Sequence, residues 1–540
     1  MSVLAPSGPA RAAGLRVPLR AVLSGLAAAL LLAALYGRMM SYGLRSDETL
    51  FVAPAALLQD ARMYHGFFYN HAPDSAWLFR GFYLLFEPLG LLGSARLAVF
   101  AAWLLLLAAA VGITWRLARS VPLALTCALA LTACETLLTQ AGMTATNNLL
   151  PLPFALLGPG LFCCATLGSG PRRGLLVLAG FCLSLAAGLK VSAVAFIPPV
   201  AAAAFFLPAA VPLRVRLAQV VLPLVLGGTA GALPLLWYLL SDPALFLAHV
   251  LKFHTGPHVA YWQAHAAEEP GLALGLGARL QLAYRVWFSG AALLLALLPA
   301  CLFWAAARAP GRGQAAQTGG AGQIITVLAA LALSAGLSLI PAPGFPQYYI
   351  PPLVCLPLLS ALLWRRLAPE QRAGLMPLLG GVSLLCLALA APRLGPGLVR
   401  LAEPDNFTAA RIIRGGDAIR AALAEGNSPP GPIATFQPLY PLEAGLPVYP
   451  ELATGSFAYR VVPYLDDGLR AQYRAAGPQD LAARFDAEPP AAFLLGYAPE
   501  LEAEMRAYAG ANGYRAVPVQ DLSNRYGTGQ LLLRPAPSPP

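Results

Sequence analysis

The stretch SYGLRSDETLF, from Ser41 to Phe51, decides how the rest of the chain is interpreted. It follows an apolar run of membrane-spanning length at 17–40 and places two adjacent carboxylates, Asp47 and Glu48, just after it. Neighbouring residues on a helix point about 100° apart, so only one of the two carboxylates is expected to face a given pocket. Acidic residues also flank membrane helices on the outside without any further role. The surrounding sequence therefore has to decide whether the pair lines a pocket or only flanks the helix.

The composition is that of a polytopic membrane protein. Of the 540 residues, 58% are hydrophobic and only 11% are charged, whereas a soluble domain carries about 25% charged residues. The net charge of +11 does not indicate a nucleic-acid partner, because the basic residues lie in small groups between apolar runs. This scatter is typical of the cytoplasmic loops of a membrane protein. The eight cysteines show no CxxC spacing and predict no metal site.

Apolar runs long enough to cross a bilayer recur along the chain. A cluster of basic residues follows each even-numbered run. The short connections that follow the odd-numbered runs, here called the odd-numbered exits, contain almost no basic residues. The positive-inside rule therefore predicts a cytoplasmic N-terminal tail at 1–16 and places the odd-numbered exits outside. A tight hairpin at Lys190 is favoured over a single broken helix, which would spoil this charge pattern. The eleven predicted spans are 17–40, 94–115, 121–139, 149–168, 174–189, 192–210, 218–240, 283–306, 323–340, 348–364 and 373–391.

With eleven spans, the transmembrane domain covers 17–391 and has two large outer loops, at 41–93 and 241–282. The first loop continues with DETLFVAPAALLQDARM, which predicts a helix lying in the membrane interface. Residues 392–533 change character: charge rises, and PIATFQ, AAFLLGY, YRAVPV and QLLLRP read as short strands between helical segments. We expect a small α/β domain on the outer side there, followed by a disordered tail at 534–540.

Polar and aromatic residues gather on the predicted outer side and indicate a cavity at the membrane surface. Their aromatics also suit an interfacial belt, and Glu135 also suits simple exposure at the interface. His254 and His258 are four residues apart, but Gly256 and Pro257 disfavour a helix between them, so a mobile loop near the substrate is favoured over a metal site. The candidate residues are Asp47, Glu48, Tyr69, Asn70, His71, Glu135, Asn147, Lys190, His254, His258, Arg279, Arg285, Gln347, Tyr348 and Tyr349.

Four motifs lie on this outer side in a fixed order. The first is SDE, which contains the Asp47–Glu48 pair. The second is the aromatic-rich FFYNHAPDSAWLF, which contains His71. GLKVSAVAFIPP contains the helical break at Lys190, and QYYIPPLVCLP begins at Gln347.

In this order and placement, residues 17–390 resemble the C-type glycosyltransferases, which share the GT-C fold. The resemblance is to the bacterial members of glycosyltransferase family 39, the family of protein O-mannosyltransferases and lipid A aminoarabinose transferases. The chain departs from the family pattern at two motifs. His71-Ala72-Pro73 replaces a double proline, and Gln347 replaces an arginine.

The resemblance implies an inverting transfer from a polyprenyl-phosphate sugar to a lipid, glycan or protein acceptor, at the outer face of the bacterial inner membrane. It implies that Asp47 is the general base, with Glu48 orienting it or binding the acceptor. Lys190, with Arg279 or Arg285, would neutralise the leaving phosphate. A glutamine beside two tyrosines (347–349) also suits a phosphate or sugar headgroup. No cofactor is implied, and a divalent metal is left open. A transporter or flippase of a lipid-linked glycan is the alternative; a membrane anchor for the C-terminal domain is a third reading.

Overall fold

The structure is a computed structural model that describes most of the chain. The predicted tail at 1–16 lies outside the described residues, as does the end of the predicted tail at 534–540. The described ranges are 19–168, 170–269, 271–308 and 320–536.

The described residues form a polytopic helical protein, as predicted. Six helical segments are long and apolar enough to cross a membrane, and a seventh is added if the pair Leu233–Ser241 and Pro243–Ala264, bent by 113°, forms one span. The six segments are Glu87–Ala118, Leu213–Gly231, Gly290–Ala307, Ala321–Ser338, Pro346–Trp364 and Pro369–Arg400. Five shorter apolar helices occupy the other predicted spans: Ser24–Met40, Val121–Thr132, Leu152–Thr166, Arg173–Leu189 and Val191–Ala204.

Six of the eleven predicted spans thus coincide with helices of full spanning length and the other five with shorter apolar helices, and local breaks explain the shorter ones. The helix in the predicted span 121–139 ends at Thr132, and Thr139 has non-helical backbone angles. The predicted span 192–210 begins as a 3₁₀ helix, and prolines open the short α-helix that follows it. Proline at the first turn of a helix is well tolerated, but it sets a new start rather than continuing an existing helix.

The α-helices alternate long apolar segments with short connecting turns. In chain order they are Leu19–Met40, Ser46–Leu57, Asp74–Leu85, Gly90–Ala118, Val121–Thr132, Leu152–Thr166, Arg173–Leu189, Ile197–Ala204, Leu213–Arg216, Leu222–Gly231, Leu233–Ser241, Pro243–Leu247, Phe253–Thr255, Pro257–Ala264, Leu276–Trp287, Gly290–Ala307, Ala321–Ser338, Cys355–Trp364, Pro369–Gly374, Met376–Arg400, Thr408–Glu425, Leu439–Glu443, Ser456–Tyr459, Asp467–Arg470, Leu481–Ala487 and Ala503–Ala511.

The C-terminal region carries the strands that its sequence predicted. A four-stranded sheet is formed by β1 (Ile433–Thr435), β2 (Ala492–Leu495), β3 (Arg515–Val517) and β6 (Gln530–Leu533). Its strand order is β1-β2-β6-β3, in which β1 and β2 are parallel and β6 runs antiparallel to both of its neighbours. Its inner strand β2 is buried along its length, which matches the apolar run AFLL. Two further short strands are β4 (Ser523–Asn524) and β5 (Gly527–Thr528).

The C-terminal region packs directly onto the helical part. The Glu443 carboxylate accepts hydrogen bonds from the backbone N–H groups of Leu91 (2.8 Å) and Leu92 (3.0 Å), at the start of the long helix Gly90–Ala118. A carboxylate is favoured there because the N-terminal N–H groups are unpaired and the helix dipole is positive. Gly90 has φ +72°, and a Cβ at that position would lie 2.6 Å from Glu443, so the contact requires a glycine. This contact joins the C-terminal region to the helix that follows the first loop.

The short helix Ser46–Leu57 lies in the protein interior and not on an apolar surface. Every residue from Glu48 to Ala55 is buried. The helix itself was predicted, but the interface location would leave one polar face in water, and its burial on all sides differs from that expectation. Above it, the Tyr526 hydroxyl of the C-terminal region accepts a hydrogen bond from the backbone N–H of Ser46 at 2.8 Å. Asp47 is therefore held between the helical part and the C-terminal region.

Candidate active site

A cavity of about 540 Å³ lies beside the start of helix Ser46–Leu57, and we call it the main cavity. Its wall combines the helix start, the break at Lys190, the segment 345–348 and two side chains of the C-terminal region, Phe457 and Arg460. The structure thus brings together residues that are far apart in sequence. Nine of the predicted site residues line it: Asp47, Asn70, His71, Asn147, Lys190, His254, His258, Gln347 and Tyr348.

The Asp47 carboxylate is held by one side chain and open on its other side. Its Oδ2 accepts a hydrogen bond from Gln140 Nε2 at 2.7 Å, and Gln140 Oε1 in turn accepts one from Arg45 Nη2 at 2.7 Å. Asp47 Oδ1 accepts no hydrogen bond from the described residues. Burial raises the pKa of Asp47, and the charge of Arg460 and the Gln140 bond oppose that rise. A fixed carboxylate with a raised pKa and one open oxygen suits proton acceptance.

Glu48 points away from the main cavity into a fully buried ion pair. Its Oε1 and Oε2 accept from Arg96 Nε (2.9 Å) and Nη2 (2.8 Å), and both side chains are 0% exposed. The backbone N–H groups of Ala145 and Arg45 donate to the same two oxygens. Because all of these bonds are satisfied inside the protein, Glu48 does not contact the cavity. The prediction that it binds the acceptor is therefore not supported by its position, and a role in holding Asp47 in place remains.

Lys190 supplies one positive charge to the main cavity. It is the extended residue that ends helix Arg173–Leu189. Its Nζ donates to Asn148 Oδ1 at 2.6 Å and lies 5.2 Å from the centre of the Tyr348 ring. Burial lowers the pKa of Lys190 to about 8, and Asp47 acts in the opposite direction. Among the residues that the structure describes no carboxylate contacts Lys190, and such a lysine is suited to a phosphate ligand.

The three cavity histidines form a row of rings, with centroids 5.2 Å apart for His71 and His254 and 5.9 Å apart for His254 and His258. His254 Nε2 lies 2.7 Å from the Asn70 carbonyl oxygen, and His71 Nδ1 lies 2.7 Å from Asn70 Oδ1. Burial and the nearby cation Lys190 hold the pKa of His71 well below its ordinary value, so its ring is neutral at pH 7. His254 and His258 lie on two short helices that meet at Gly256, so the break falls where Gly256 and Pro257 predicted it, but its flanks are helical and not the loop that was expected. In the described part of the chain, no three His, Cys, Asp or Glu side chains form a metal site.

Six predicted residues do not line the main cavity: Glu135 and Arg285 line a smaller one, and the other four line neither. Arg279 donates from Nη1 to the carbonyl oxygens of Leu339 (2.6 Å) and Ile340 (2.8 Å), so it ties two helices together and is not placed to bind a phosphate. Tyr349 is fully buried, and Tyr69 is buried with its hydroxyl 2.7 Å from a serine hydroxyl. Glu48 is the fourth. Sequence position gives the side of the membrane but not the direction of a side chain, so it did not show that these four residues lie outside the cavity.

Glu135 and Arg285 line a separate, small cavity of about 250 Å³, and Glu135 is ion-paired with Arg393. The small cavity shares Thr136, Thr139 and Pro346 with the main cavity, so the two adjoin. On its other side it shares Leu353 with an apolar cavity of about 500 Å³, which lies between helices Gly290–Ala307, Ala321–Ser338 and Cys355–Trp364. We call this third one the apolar cavity. The apolar cavity, the small cavity with Arg285 and Glu135, and the main cavity with Asp47 and Lys190 thus follow one another.

Sequence reasoning missed several residues that the structure places at the site. Arg96 lies at the start of an apolar run. An ionisable side chain in such a run usually has a polar partner inside the protein, so the sequence did contain a signal for this residue. Gln140 and Asn148 lie in the polar turn after Glu135, which also marked this region as facing a cavity. Arg460 lies in the C-terminal region and carries no local signal.

Comparison with solved structures identifies the fold. The fold is the GT-C fold of polytopic membrane glycosyltransferases, which the motif order predicted.

Two solved structures of one such protein, ArnT from Cupriavidus metallidurans, are similar over nearly the whole chain. The ArnT structure bound to undecaprenyl phosphate has a TM-score of 0.59 and 15% identity, covering 96% of this chain and 98% of that chain. The apo ArnT structure has a TM-score of 0.58 and 15% identity, covering 95% and 98%. No protein-family model and no curated protein sequence matches the chain.

Proposed function

We propose that the protein transfers a sugar from a polyprenyl-phosphate donor to an acceptor hydroxyl, with inversion, at the extracytoplasmic face of the bacterial inner membrane. The observation that carries the proposal is the open oxygen of Asp47 in a cavity that also holds Lys190. The likeness to an ArnT structure bound to undecaprenyl phosphate supports a polyprenyl-phosphate partner. The proposed side of the membrane rests on the basic clusters between spans.

The three adjoining cavities suit the three parts of such a donor. The apolar cavity takes the start of the prenyl chain, since its lining is almost entirely aliphatic and aromatic. The phosphate lies where the small and main cavities adjoin at Thr136 and Thr139, with Arg285 on the one side and Lys190 on the other, and the sugar lies in the main cavity. An apolar section next to a fixed cation suits a lipid phosphate because each part of the ligand meets matching chemistry.

The proposed reaction uses the residues of the main cavity in one displacement. Asp47 Oδ1 accepts the proton of the acceptor hydroxyl while that oxygen attacks the anomeric carbon. The bond from the anomeric carbon to the phosphate oxygen breaks, and the polyprenyl phosphate leaves with the electron pair. Lys190 and Arg285 neutralise the charge that develops on the leaving phosphate. Glu48 and Gln140 position Asp47 and take no part in the proton transfer.

A transfer assay tests the proposal. The purified full-length protein is incorporated in lipid nanodiscs and given radiolabelled undecaprenyl-phosphate sugars together with a membrane extract as the source of acceptor. We expect label to move from the donor into a second product. If no label moves with any donor sugar, the proposal fails. If vesicles show transbilayer movement of labelled lipid without transfer, the protein is a flippase.

Arg285 is expected to contribute to donor affinity. Arg285→Gln removes a charged donor from the small cavity, and a hydrogen bond to a charged group contributes about 1.5–3 kcal/mol. We therefore expect undecaprenyl phosphate to bind roughly 10-fold more weakly or worse. Binding is measured by microscale thermophoresis in nanodiscs. Arg173→Gln, an exposed arginine away from the cavities, is the matched control; equal affinity of the Arg285 variant and the control would contradict the donor path.

The pH dependence of transfer is expected to report on Asp47 and Lys190. Transfer needs Asp47 unprotonated and Lys190 protonated, so the rate rises with pH through the raised pKa of Asp47. It falls as the pH passes about 8, the pKa of Lys190. In Lys190→Arg the guanidinium stays charged, so the alkaline fall is expected to disappear. Lys252→Arg, a lysine that does not line the main cavity, should keep it; an unchanged alkaline fall in Lys190→Arg would remove Lys190 from the reaction.

A further inference from the structure

Arg460 is a cation without an anionic contact at the edge of the main cavity. Its guanidinium carbon lies 5.0 Å from the ring centre of Tyr261, 4.9 Å from that of Trp262 and 4.8 Å from that of Phe457. Within the described ranges, its side chain makes no hydrogen bond, and no carboxylate oxygen lies within 4.0 Å of it. Three aromatic rings therefore fix the guanidinium in place without using its N–H donors.

Two neighbouring groups also lack partners. The buried atoms Arg460 Nε and Trp262 Nε1 have no hydrogen-bond partner among the described residues, and neither has the buried Nδ1 of His258. All three side chains line the main cavity. Buried polar groups in folded proteins nearly always have a hydrogen-bond partner. A group of nitrogen atoms without such partners in one corner of the cavity therefore points to a ligand whose oxygen atoms accept hydrogen bonds.

This corner is separate from the proposed donor phosphate. The ring row runs from His71 through His254 to His258, and the His258 ring lies 6.3 Å from that of Trp262, next to Arg460. The charge of Lys190 lowers the pKa of His71 and of His254, whereas that of Arg460 lowers the pKa of His258. Arg460 therefore stands at the opposite end of the row from Lys190.

Asp47 interacts electrostatically with both cations. It forms no ion pair with either of them among the described residues, but its charge opposes the lowering of the pKa of both Lys190 and Arg460. Because Arg460 and Lys190 stand at opposite ends of the ring row, a group bound at Arg460 would lie on the side of the cavity that faces away from the donor phosphate. That is the side from which an acceptor hydroxyl has to approach in an inverting displacement.

We infer that Arg460 binds an anionic group of the acceptor, a phosphate or a carboxylate, so that the C-terminal region selects an anionic acceptor for the cavity. The planar guanidinium presents paired N–H groups that match the two oxygens of either group. The inference rests on the proposed function for the identity of the second substrate. It gives the C-terminal region a direct part in acceptor recognition.

Chemical protection of the wild-type protein tests the inference without a change in sequence. Phenylglyoxal modifies accessible arginines, and peptide mass spectrometry gives the rate for each one. Glycerol 1-phosphate and glycerate, small probes with a phosphate or a carboxylate, are expected to slow modification of Arg460 at least threefold and to leave Arg420 unchanged. If just one of the two probes slows the modification of Arg460, that probe identifies the anion as a phosphate or as a carboxylate. Absence of slowing by both would overturn the inference, and so would slowing of Arg460 by undecaprenyl phosphate.

The same experiment separates this inference from the proposed function. Undecaprenyl phosphate is expected to slow modification of Arg285, which tests the donor path independently of Arg460. If Arg285 is protected and Arg460 responds to neither small anion, the inference fails and the donor path stands. If Arg285 is not protected, the donor path fails, whatever Arg460 does.

A variant adds the kinetic test. Arg460→Gln is expected to lower transfer into the acceptor of the extract at least tenfold with an unchanged donor KM, and Arg460→Lys should recover part of the loss. Arg420→Gln, in an exposed pair with Asp417 on the same region, is the matched control. A raised donor KM in Arg460→Gln, or transfer equal to the control, would overturn the inference.

Discussion

Asp47→Asn is expected to lower kcat for sugar transfer by about 10²–10⁴-fold, the range for loss of a general base. The amide has the size of the carboxylate, and its oxygen can still accept the 2.7 Å hydrogen bond from Gln140 Nε2. The fold and the shape of the main cavity should therefore persist. What is lost is the ability to take a proton from the acceptor hydroxyl. The rate is measured with labelled donor and membrane extract, at saturating donor.

Two controls make this result specific. Binding of undecaprenyl phosphate to Asp47→Asn should equal that of the wild type, because the phosphate is proposed to lie near Arg285 and Lys190. Asp60→Asn changes an exposed carboxylate in the same loop and should transfer normally. Undiminished transfer by Asp47→Asn would exclude Asp47 as the base. A variant that also loses lipid binding would show that Asp47 shapes the donor site instead.

The helical architecture was predictable from the sequence because the length and spacing of apolar runs depend on local chemistry. The breaks within the runs were not predictable, because they depend on distant partners. The irregular turn at 137–141 is an example. Arg38 of the first helix donates from Nε (2.9 Å) and Nη2 (2.6 Å) to the carbonyl oxygen of Leu138. A carbonyl released from the helical pattern is thus satisfied by a side chain one hundred residues away.

The candidate site, too, was predictable from the sequence only in part. The sequence placed a carboxylate pair near the cavity and indicated that one of the two would face it. It did not show which, since the answer depends on Arg96, which holds Glu48 in the interior. The helical spacing of Asp47 and Glu48 then directs the other carboxylate towards the cavity. Arg460 was beyond reach for a related reason: its position depends on how the C-terminal region docks on the helices.

Glu48→Gln is expected to lower the free energy of unfolding by about 3–5 kcal/mol, the cost of leaving one member of a buried ion pair without its partner. Arg96 would stay buried among the carbonyl oxygens of Met39, Met40 and Tyr42, to which its Nη1 donates at 3.0, 3.2 and 2.7 Å. Those bonds keep the guanidinium in place, so it cannot turn to water. The stability of the purified protein is measured by unfolding in detergent with increasing denaturant.

This measurement also decides between two roles for Glu48. If it only positions Asp47, the loss of activity in Glu48→Gln should follow the loss of folded protein, and Arg96→Lys should lose stability too, because lysine cannot bind both carboxylate oxygens as arginine does. Asp417→Asn, which removes an exposed partner from Arg420, should leave the unfolding midpoint unchanged. A Glu48→Gln protein with the midpoint of the wild type and no transfer would place Glu48 in the chemistry, as the Asp-Glu motif had implied. In that case its buried pair with Arg96 would have to open during the reaction.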